Sequence, residues 1–502
     1  MLNEDKLKII LGLKVAHLRH QKSYSYQQLA TLTDLSTGYL HGIEKGKKYP
    51  SRAAMLKLSE ALDISYDDLV SVHASKKLQP IIDFLESDFL KMFPMKMFGI
   101  SPDRLLELFS NEPDKINAFI STVLKIVRNY QMQTENLFNA ALRSYQDMRD
   151  NYFEEIEAGT KRFRIENNLH QSDHITNELL EKILLEKYSI KIDRNEMGRH
   201  RQLSKIRSFF DEKNKMLFLN SGLSTEQQNF LLARELGFQF LDLKERPYET
   251  IIQKSETFEK LYNNFKASYF GAALLMDEQE LTKDIRNFAL QSKWNGDLFL
   301  SLLQKYNVTA EMFLQRLTNL LPRHFGLNNL FFIRLQADEQ LKNYTMTKEL
   351  HLSKLHKPYA NELNEHYCRR WVSVSVIKQL RTYRQLDKSR AILTDVQISK
   401  YWETNLEYLC FTIAKPNTPN DKESVSVTLG ILVDDNLRQQ FRFLADEKVK
   451  RRLVNTTCEH CSMPDCELRA IAPFVIEKQN EQREVETMLK ELSQTRLVYA
   501  RD

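Results

Sequence analysis

A mainly α-helical chain with α+β domains in its second half is the fold class that the sequence predicts, and three observations predict it. Gly (13) and Pro (12) are scarce among 502 residues, so few positions interrupt a helix. Apolar residues recur at helical spacing through roughly the first 160 residues. Strand-like runs such as KYSIKI, KMLFLNS, YLCFTIA and SVSVTLGILVDD are confined to the later part. At roughly 150 residues per domain the length suggests about three folded bodies. Hydrophobic residues at 42% and charged residues at 28% fit an ordinary soluble protein. No run of about 18 apolar residues could span a bilayer. The opening MLNEDKLKII lacks the apolar stretch of a secretory signal, so a cytoplasmic location with no membrane partner is expected. Five cysteines do not make a disulfide framework in a chain this long. A net charge of +5 is compatible with nucleic acid without being diagnostic of it.

Residues 1–73 read as a five-helix domain. Leu7, Leu11, Val15 and Leu18 make one face of a first helix. Ser25 is placed to cap YQQLATLT, Ser36 to cap TGYLHGIE and Ser51 to cap RAAMLKLSEAL, and SYDDLV closes the set. Ala30 supplies a small residue where the second and third helices would cross, with Leu35, Leu40 and Ile43 packed behind the third. That leaves Thr37, Gly38, His41 and Gly42 facing outward at the start of the third helix. In a helix-turn-helix these positions reach base edges, while Lys45, Lys47 and Lys48 just beyond would meet phosphates. The domain holds ten Lys/Arg against eight Asp/Glu, so only their placement argues for double-stranded operator DNA over a protein partner.

The segment QQLATLTDLSTGYLHGIEKGKKYPS resembles the phage-repressor-like (XRE) DNA-binding family, above all in its IEKGKKYPS ending. The resemblance implies DNA contacts from Gln27, Gln28, Thr37, Gly38, Tyr39, His41, Lys45, Lys47 and Lys48. Tyr26 departs from the pattern, since the family often has a phosphate-holding Gln there.

Residues 74–160 read as a helical connector. Ile120, Val123, Leu124 and Val127 form one stripe, and Leu137, Ala141, Tyr145, Met148, Tyr152 and Ile156 a second. Such stripes suit either a homodimer interface or packing within one chain. Within the connector, ALRSYQDMRDNYFEEIE (141–157) is similar to the corresponding region of the short-chain fatty acyl transcriptional regulators. Those proteins join an XRE-type reader to a metallopeptidase-like domain and a cysteine-containing C-terminal domain.

Residues 161–328 follow that order. Ser224 with Gln227 makes a capping box for TEQQNFLLARELGFQFLDL, and a second helix reads NNFKASYFGAALLM. With the strands before them, these helices resemble the ImmA/IrrE-type zinc peptidases, whose first helix carries H-E-x-x-H. Here the five positions are Arg234, Glu235, Leu236, Gly237 and Phe238, and Asn264 and Lys266 stand where an acidic third ligand is expected. One Glu cannot supply the roughly three protein ligands that a catalytic zinc needs, so no peptidase activity is expected. The resemblance instead implies an acyl-CoA effector. Arg199, Arg201, Lys205 and Arg207 form a basic stretch that would meet CoA phosphates, with Arg234 and Tyr269 near the old cleft.

Residues 329–475 read as a C-terminal α+β domain in which RWVSVSVI is also strand-like, and residues 476–502 as a charged helix. Cys458, Cys461 and Cys466 form C-x2-C-x4-C, and Cys368 lies upstream in YCRRW. Thiolates so spaced suit zinc or an iron–sulfur cluster. The resemblance to the fatty acyl regulators extends to Cys368–Trp371 and to P-D-C-x-x-R-A at 464–470, and it implies a [4Fe–4S] cluster. Cys410 lies in an apolar run and is expected in the core.

Overall fold

The computed structural model describes residues 4–71, 97, 134–169, 174–204, 206–247, 257–352, 365–387, 392–404, 406–417 and 420–499. They fall into two compact units, Met1–Tyr145 with Gln253–Phe258, and Gln146–Ile252 with Glu259–Asp502. The stripe at Ile120, Val123, Leu124 and Val127 lies outside the described residues, as does Lys205.

The first unit opens with five helices: α1 (Glu4–Gln21), α2 (Tyr26–Thr33), α3 (Thr37–Glu44), α4 (Arg52–Leu62) and α5 (Tyr66–Val70). Ser25, Ser36, Ser51 and Ser65 cap the last four, each hydroxyl accepting a backbone N–H that the helix itself cannot satisfy. Leu11, Val15, Leu29, Leu40, Ile43, Met55, Leu58, Leu62 and Leu69 close the core. Ala30 is half-buried, and a close approach of backbones lies at Gly12. A Cβ there would lie 2.4 Å from the carbonyl oxygen of Ile43, so α1 meets the end of α3 backbone to backbone. Lys14 Nζ donates to the Asp68 and Ser71 carbonyls at 2.6 and 2.7 Å, tying α1 to the end of α5.

α6 (Thr134–Met148) and α7 (Glu154–Glu166) are separate helices, whereas the stripe from Leu137 to Ile156 read as continuous. The chain turns at Asp150 and Asn151, both in the left-handed region (φ 47° and 53°). Asn151 is buried, and its side chain donates to Thr318 Oγ1 at 2.8 Å, an attachment that overrides the local helical pattern. The boundary expected at residue 160 therefore falls inside α7, which belongs to the second unit.

That unit continues through α8 (Asn177–Tyr188) and a three-stranded sheet of order β1-β3-β2. Its strands are β1 (Lys191–Asp193), β2 (Ser208–Asp211) and β3 (Met216–Leu219). The helices α9 (Thr225–Phe240), α10 (Phe258–Leu275), α11 (Glu278–Ala289), α12 (Gly296–Tyr306) and α13 (Ala310–Phe325) follow. A six-stranded sheet comes next, built from β4 (Leu330–Ala337), β5 (Tyr344–His351), β6 (Leu393–Tyr401), β7 (Glu407–Asn417), β8 (Asn420–Leu432) and β9 (Lys450–Val454) in the order β5-β4-β8-β7-β6-β9.

The segment RWVSVSVI is not a strand. It opens the helix α14 (Val372–Leu386), which covers one face of the large sheet with Val372, Val376, Ile377 and Leu380. Over eight residues Val/Ser alternation imitates a strand, but over fifteen these buried positions recur at helical spacing, and packing on the sheet decides between them. On the opposite face Phe411 packs with Phe288 of α11, Trp294 of the following loop, Phe299 of α12 and Phe443, with ring centroids 5.2–6.4 Å apart. The regions expected as separate domains at 161–328 and 329–475 thus share one aromatic core. The described part ends in α16 (Phe474–Tyr499), after the short helix α15 (Asp435–Gln440).

Candidate DNA face, vacated metal cleft and thiol pocket

At the start of α3, Thr37, Gly38 and His41 are exposed, and Lys47 and Lys48 are exposed just beyond its end. Lys45 is half-buried, and Tyr39 is half-buried beneath the Lys48 ammonium, 5.3 Å from its ring centroid. Gln27 is exposed on α2. Gln28 is exposed too, but its carboxamide accepts the Ser25 N–H at 2.8 Å, completing the capping box. Gly42 does not face outward: it is buried, and an added Cβ would lie 3.2 Å from the Lys48 side chain. The Lys48 stem covers it.

Behind this face lies a polar anchor. Buried Glu44 accepts from Arg19 Nε at 2.6 Å, Arg19 Nη2 at 3.0 Å and Tyr26 Oη at 2.7 Å. The Arg19 guanidinium also stacks 4.1 Å from the Tyr26 ring. Burial, then the hydrogen bond to Glu44, pushes the Tyr26 hydroxyl up to about 12. Tyr26 is thus turned inward to fix α3 against α1.

In the second unit, α9 places Arg234 and Glu235 on a cavity of about 520 Å³, which Ser208, Phe238, Arg246 and Asn264 also line. Glu235 is 4% exposed, and both of its oxygens accept from Arg246 Nη1 at 3.0 Å. Gln239 Nε2 adds a third bond at 2.8 Å. The Arg246 guanidinium is held between the Phe210 and Phe238 rings, 4.4 and 4.5 Å from their centroids. Phe238 and Arg246 therefore occupy the region that the second zinc histidine and its metal would need. Arg234 donates to Ser208 Oγ at 3.0 Å; burial, aided by Arg207 and Arg246 against Glu235, brings it down to about 10. These residues do not fit a zinc ion: a cation stands at each end of the old motif, and its Glu is committed to Arg246. Among the described residues no group of three or more His, Cys, Asp or Glu is arranged to hold a metal.

Of the described side chains expected to meet an effector, Arg234 alone lines this cavity. Arg199 and Arg201 are exposed on short turns, and Arg199 pairs with Glu196 at 2.8 Å. Tyr269 is buried elsewhere, its hydroxyl donating to Glu157 Oε1 at 2.7 Å. Glu157 in turn receives Arg316 Nη1 at 2.5 Å and Nη2 at 3.0 Å. Arg246 escaped the sequence reading. The signal available was that a Glu retained on a helix's buried face needs a cation, and nothing in the spacing says which one.

The C-terminal part brings Cys368, Cys458 and Cys461 together. Tyr367 bridges Thr457 across the sheet edge, Cys368 N–H donates to the Thr456 carbonyl at 3.1 Å, and Cys458 N–H to that of His366 at 2.9 Å. Asn455 N–H points at Cys368 Sγ (3.5 Å), and Ala470 N–H at Cys458 Sγ (3.4 Å). The guanidinium of Arg469 holds the loop through the Cys461 carbonyl at 3.0 Å. Cys466 is half-buried on the same loop. Burial pushes the Cys368 thiol up to about 11 and raises Cys458 as well. The set offers soft donors that accept backbone N–H groups, which suits a thiolate-bound metal in kind. Cys410 is in the core, as expected.

Comparison with known proteins agrees with the two recognisable regions. Residues 15–69 match the helix-turn-helix family, and residues 190–318 match the IrrE N-terminal-like domain family. The chain is 22% identical over 334 residues to the HTH-type transcriptional regulator RamB of two Mycobacterium tuberculosis strains, CDC 1551 / Oshkosh and ATCC 25618 / H37Rv. The match spans 62% of this chain and 65% of those relatives' length. A solved Mycobacterium tuberculosis transcriptional regulator aligns at TM-score 0.44 and 16% identity, over 66% of this chain and 92% of that one. No described helix is long and apolar enough to cross a membrane. What the sequence and structure establish together is a chain that joins a helix-turn-helix region to an IrrE-like region without the zinc-binding histidines.

Proposed function

We propose that this chain is a DNA-binding transcription regulator whose second unit binds a small-molecule effector and has no peptidase activity. The observation that carries the reading is the exposure of Thr37, Gly38 and His41 at the start of a helix whose other side is anchored by Glu44, with Lys47 and Lys48 beside them. This arrangement suits base edges for the first set and phosphates for the second. The similarity to RamB, named as an HTH-type transcriptional regulator, supports it. Glu235, tied to Arg246, is not free to act as a general base, which supports the lack of peptidase activity. The effector proposed is a short-chain acyl-CoA, the genes controlled those of short-chain fatty acid metabolism, and the active species a homodimer on a two-fold operator. Coupling between effector and operator would be a free energy shared by the two sites. Titrating a selected operator at fixed salt, with and without acetyl-, propionyl- and butyryl-CoA, tests this. Operator affinity is expected to change about fivefold or more with one ester; identical affinity across the panel would refute effector control.

We further propose that Cys368, Cys458, Cys461 and Cys466 hold a metal centre, an iron–sulfur cluster in preference to zinc. Anaerobic purification with metal analysis is expected to give iron and sulfide, both lost on Cys458→Ser. Stoichiometric zinc would replace the cluster by a structural site, and metal-free folded protein would remove it.

A further inference from the structure

The vacated cleft is nearly balanced in charge: Lys213, Arg234, Lys244, Arg246 and Lys260 line it together with Asp211, Glu212, Glu235 and Glu245. A different place in the second unit is not balanced. In the large sheet, Arg334 of β4 pairs with Lys348 of β5 and with Val427 of β8, and Val427 pairs with Ile413 of β7. Residues in register share a face, and so does Lys415, two residues beyond Ile413. Arg334, Lys348 and Lys415 thus lie on the face that packs against α13. Arg207, leading into β2, is close enough that its charge weighs on both Arg334 and Lys415.

Against these four cations stands Glu311, in the first turn of α13. It pairs with Lys348 and, at 3.4 Å, with Arg334 Nε. Although burial would raise it, Lys348 and Arg334, with Arg207 behind them, hold its carboxyl down at about 2. Among the described residues it is the one carboxylate in ion-pair contact with any of the four. Glu423 near Arg334 is engaged by Gln336 Nε2 at 2.7 Å and Asn417 Nδ2 at 2.8 Å, and Glu226 by Ser224 Oγ at 2.6 Å. Arg334 is fixed by Thr347 Oγ1 at 2.5 Å and Asn417 Oδ1 at 3.3 Å. Lys415 is different. It is half-buried, its pKa is lowered by desolvation, and its ammonium has no hydrogen bond or ion pair among the described residues. The Arg207 guanidinium likewise has none, although it is exposed. Glu311 offsets part of the repulsion that Arg334 and Arg207 exert on this half-buried ammonium, and a further anion would offset its desolvation.

We propose that Arg207, Arg334, Lys348 and Lys415 form a binding site for the phosphates of a small phosphorylated ligand, a diphosphate or nucleoside bisphosphate, lying between the helical part of the second unit and its large sheet. Four donors of this kind around one carboxylate match a ligand with two or more negative charges, and Arg334 is held in place by Glu311, Thr347 and Asn417. The inference rests on reading the second unit as effector-binding, and it names where that effector's charge is taken.

The experiment is calorimetric titration of the full chain with pyrophosphate and, separately, adenosine 3′,5′-bisphosphate, at fixed ionic strength with sulfate as control. Wild type is expected to bind at least one phosphate probe at least tenfold more tightly than sulfate. Lys415→Met should weaken that binding about tenfold or more while leaving the melting temperature unchanged or higher, since its ammonium makes no hydrogen bond or ion pair among the described residues. Arg207→Gln, at an exposed position, gives a second test and should weaken binding severalfold. Binding unchanged in both variants, or absent in wild type at millimolar probe, overturns the site. Acyl-CoA control of operator affinity that survives Lys415→Met places the effector elsewhere and leaves the proposed function standing. Phosphate binding lost in the variant, with no acyl-CoA effect on DNA, keeps the site and removes acyl-CoA as the effector.

Discussion

Arg316→Met is expected to be the most destabilising single change in the second unit. Arg316 is fully buried on α13, and its guanidinium grips both oxygens of Glu157, itself 4% exposed on α7. Burial pulls the guanidinium down, but Glu157 beside it holds it above its ordinary range. The Tyr269 hydroxyl completes the set from α10, so three helices meet at one carboxylate. Removing the cation leaves that carboxylate buried without charge compensation, which costs about 3–5 kcal/mol. For a unit of this size the loss corresponds to a fall in melting temperature on the order of 10 °C. Differential scanning calorimetry of Arg316→Met checks it. The double variant Arg316→Met/Glu157→Met should recover much of the loss, because a matched apolar pair leaves no orphan charge. A drop of under 1 kcal/mol in the single variant would mean that water reaches Glu157.

Thr37→Ala/His41→Ala is expected to have the largest functional effect. Both residues are exposed, and their side chains can be removed without disturbing the packing of Leu40 and Ile43. Each lost base contact costs about 1–3 kcal/mol of discrimination. The pair together should therefore lower sequence selectivity by roughly 30-fold or more while nonspecific binding, set by the lysines, changes little. Competition of operator against random duplex at two salt concentrations measures both quantities. Unchanged selectivity would move base recognition off α3.

Much of the first unit was legible in the sequence because its determinants are local. Ser25, Ser36 and Ser51 each sit next to the helix they cap, and the apolar spacing of Leu40 and Ile43 fixes which side of α3 is free. Gly42 was misplaced because a small residue at a helix turn reads as outward until the neighbouring Lys48 stem is seen to cover it. Arg19 and Glu44 lie 25 residues apart, and their ion pair leaves no trace in periodicity.

In the second unit the same limit is sharper. The Ser224–Gln227 capping box of α9 was readable, and so were the strands around Cys410. The partner of Glu235 was not, because Arg246 comes from a loop and is placed by Phe210 and Phe238, which only the folded chain brings together. The Val/Ser alternation from Val372 was read as a strand because a short window cannot see the sheet that selects one helical face. Charges gathered by β-pairing, as at Arg334, Lys348 and Lys415, are invisible without the register. The helix-turn-helix was therefore the firmest reading from residues alone, and the charge cluster on the large sheet the least accessible.

The central claim is that the first five helices read a specific DNA sequence. Selection of the full chain against a random duplex library, sequenced after several rounds at physiological salt, addresses it most directly. Enrichment of a two-fold related sequence by wild type, lost in Thr37→Ala/His41→Ala, is the expected result. Binding that depends on salt alone, with no enriched sequence in either protein, would contradict it.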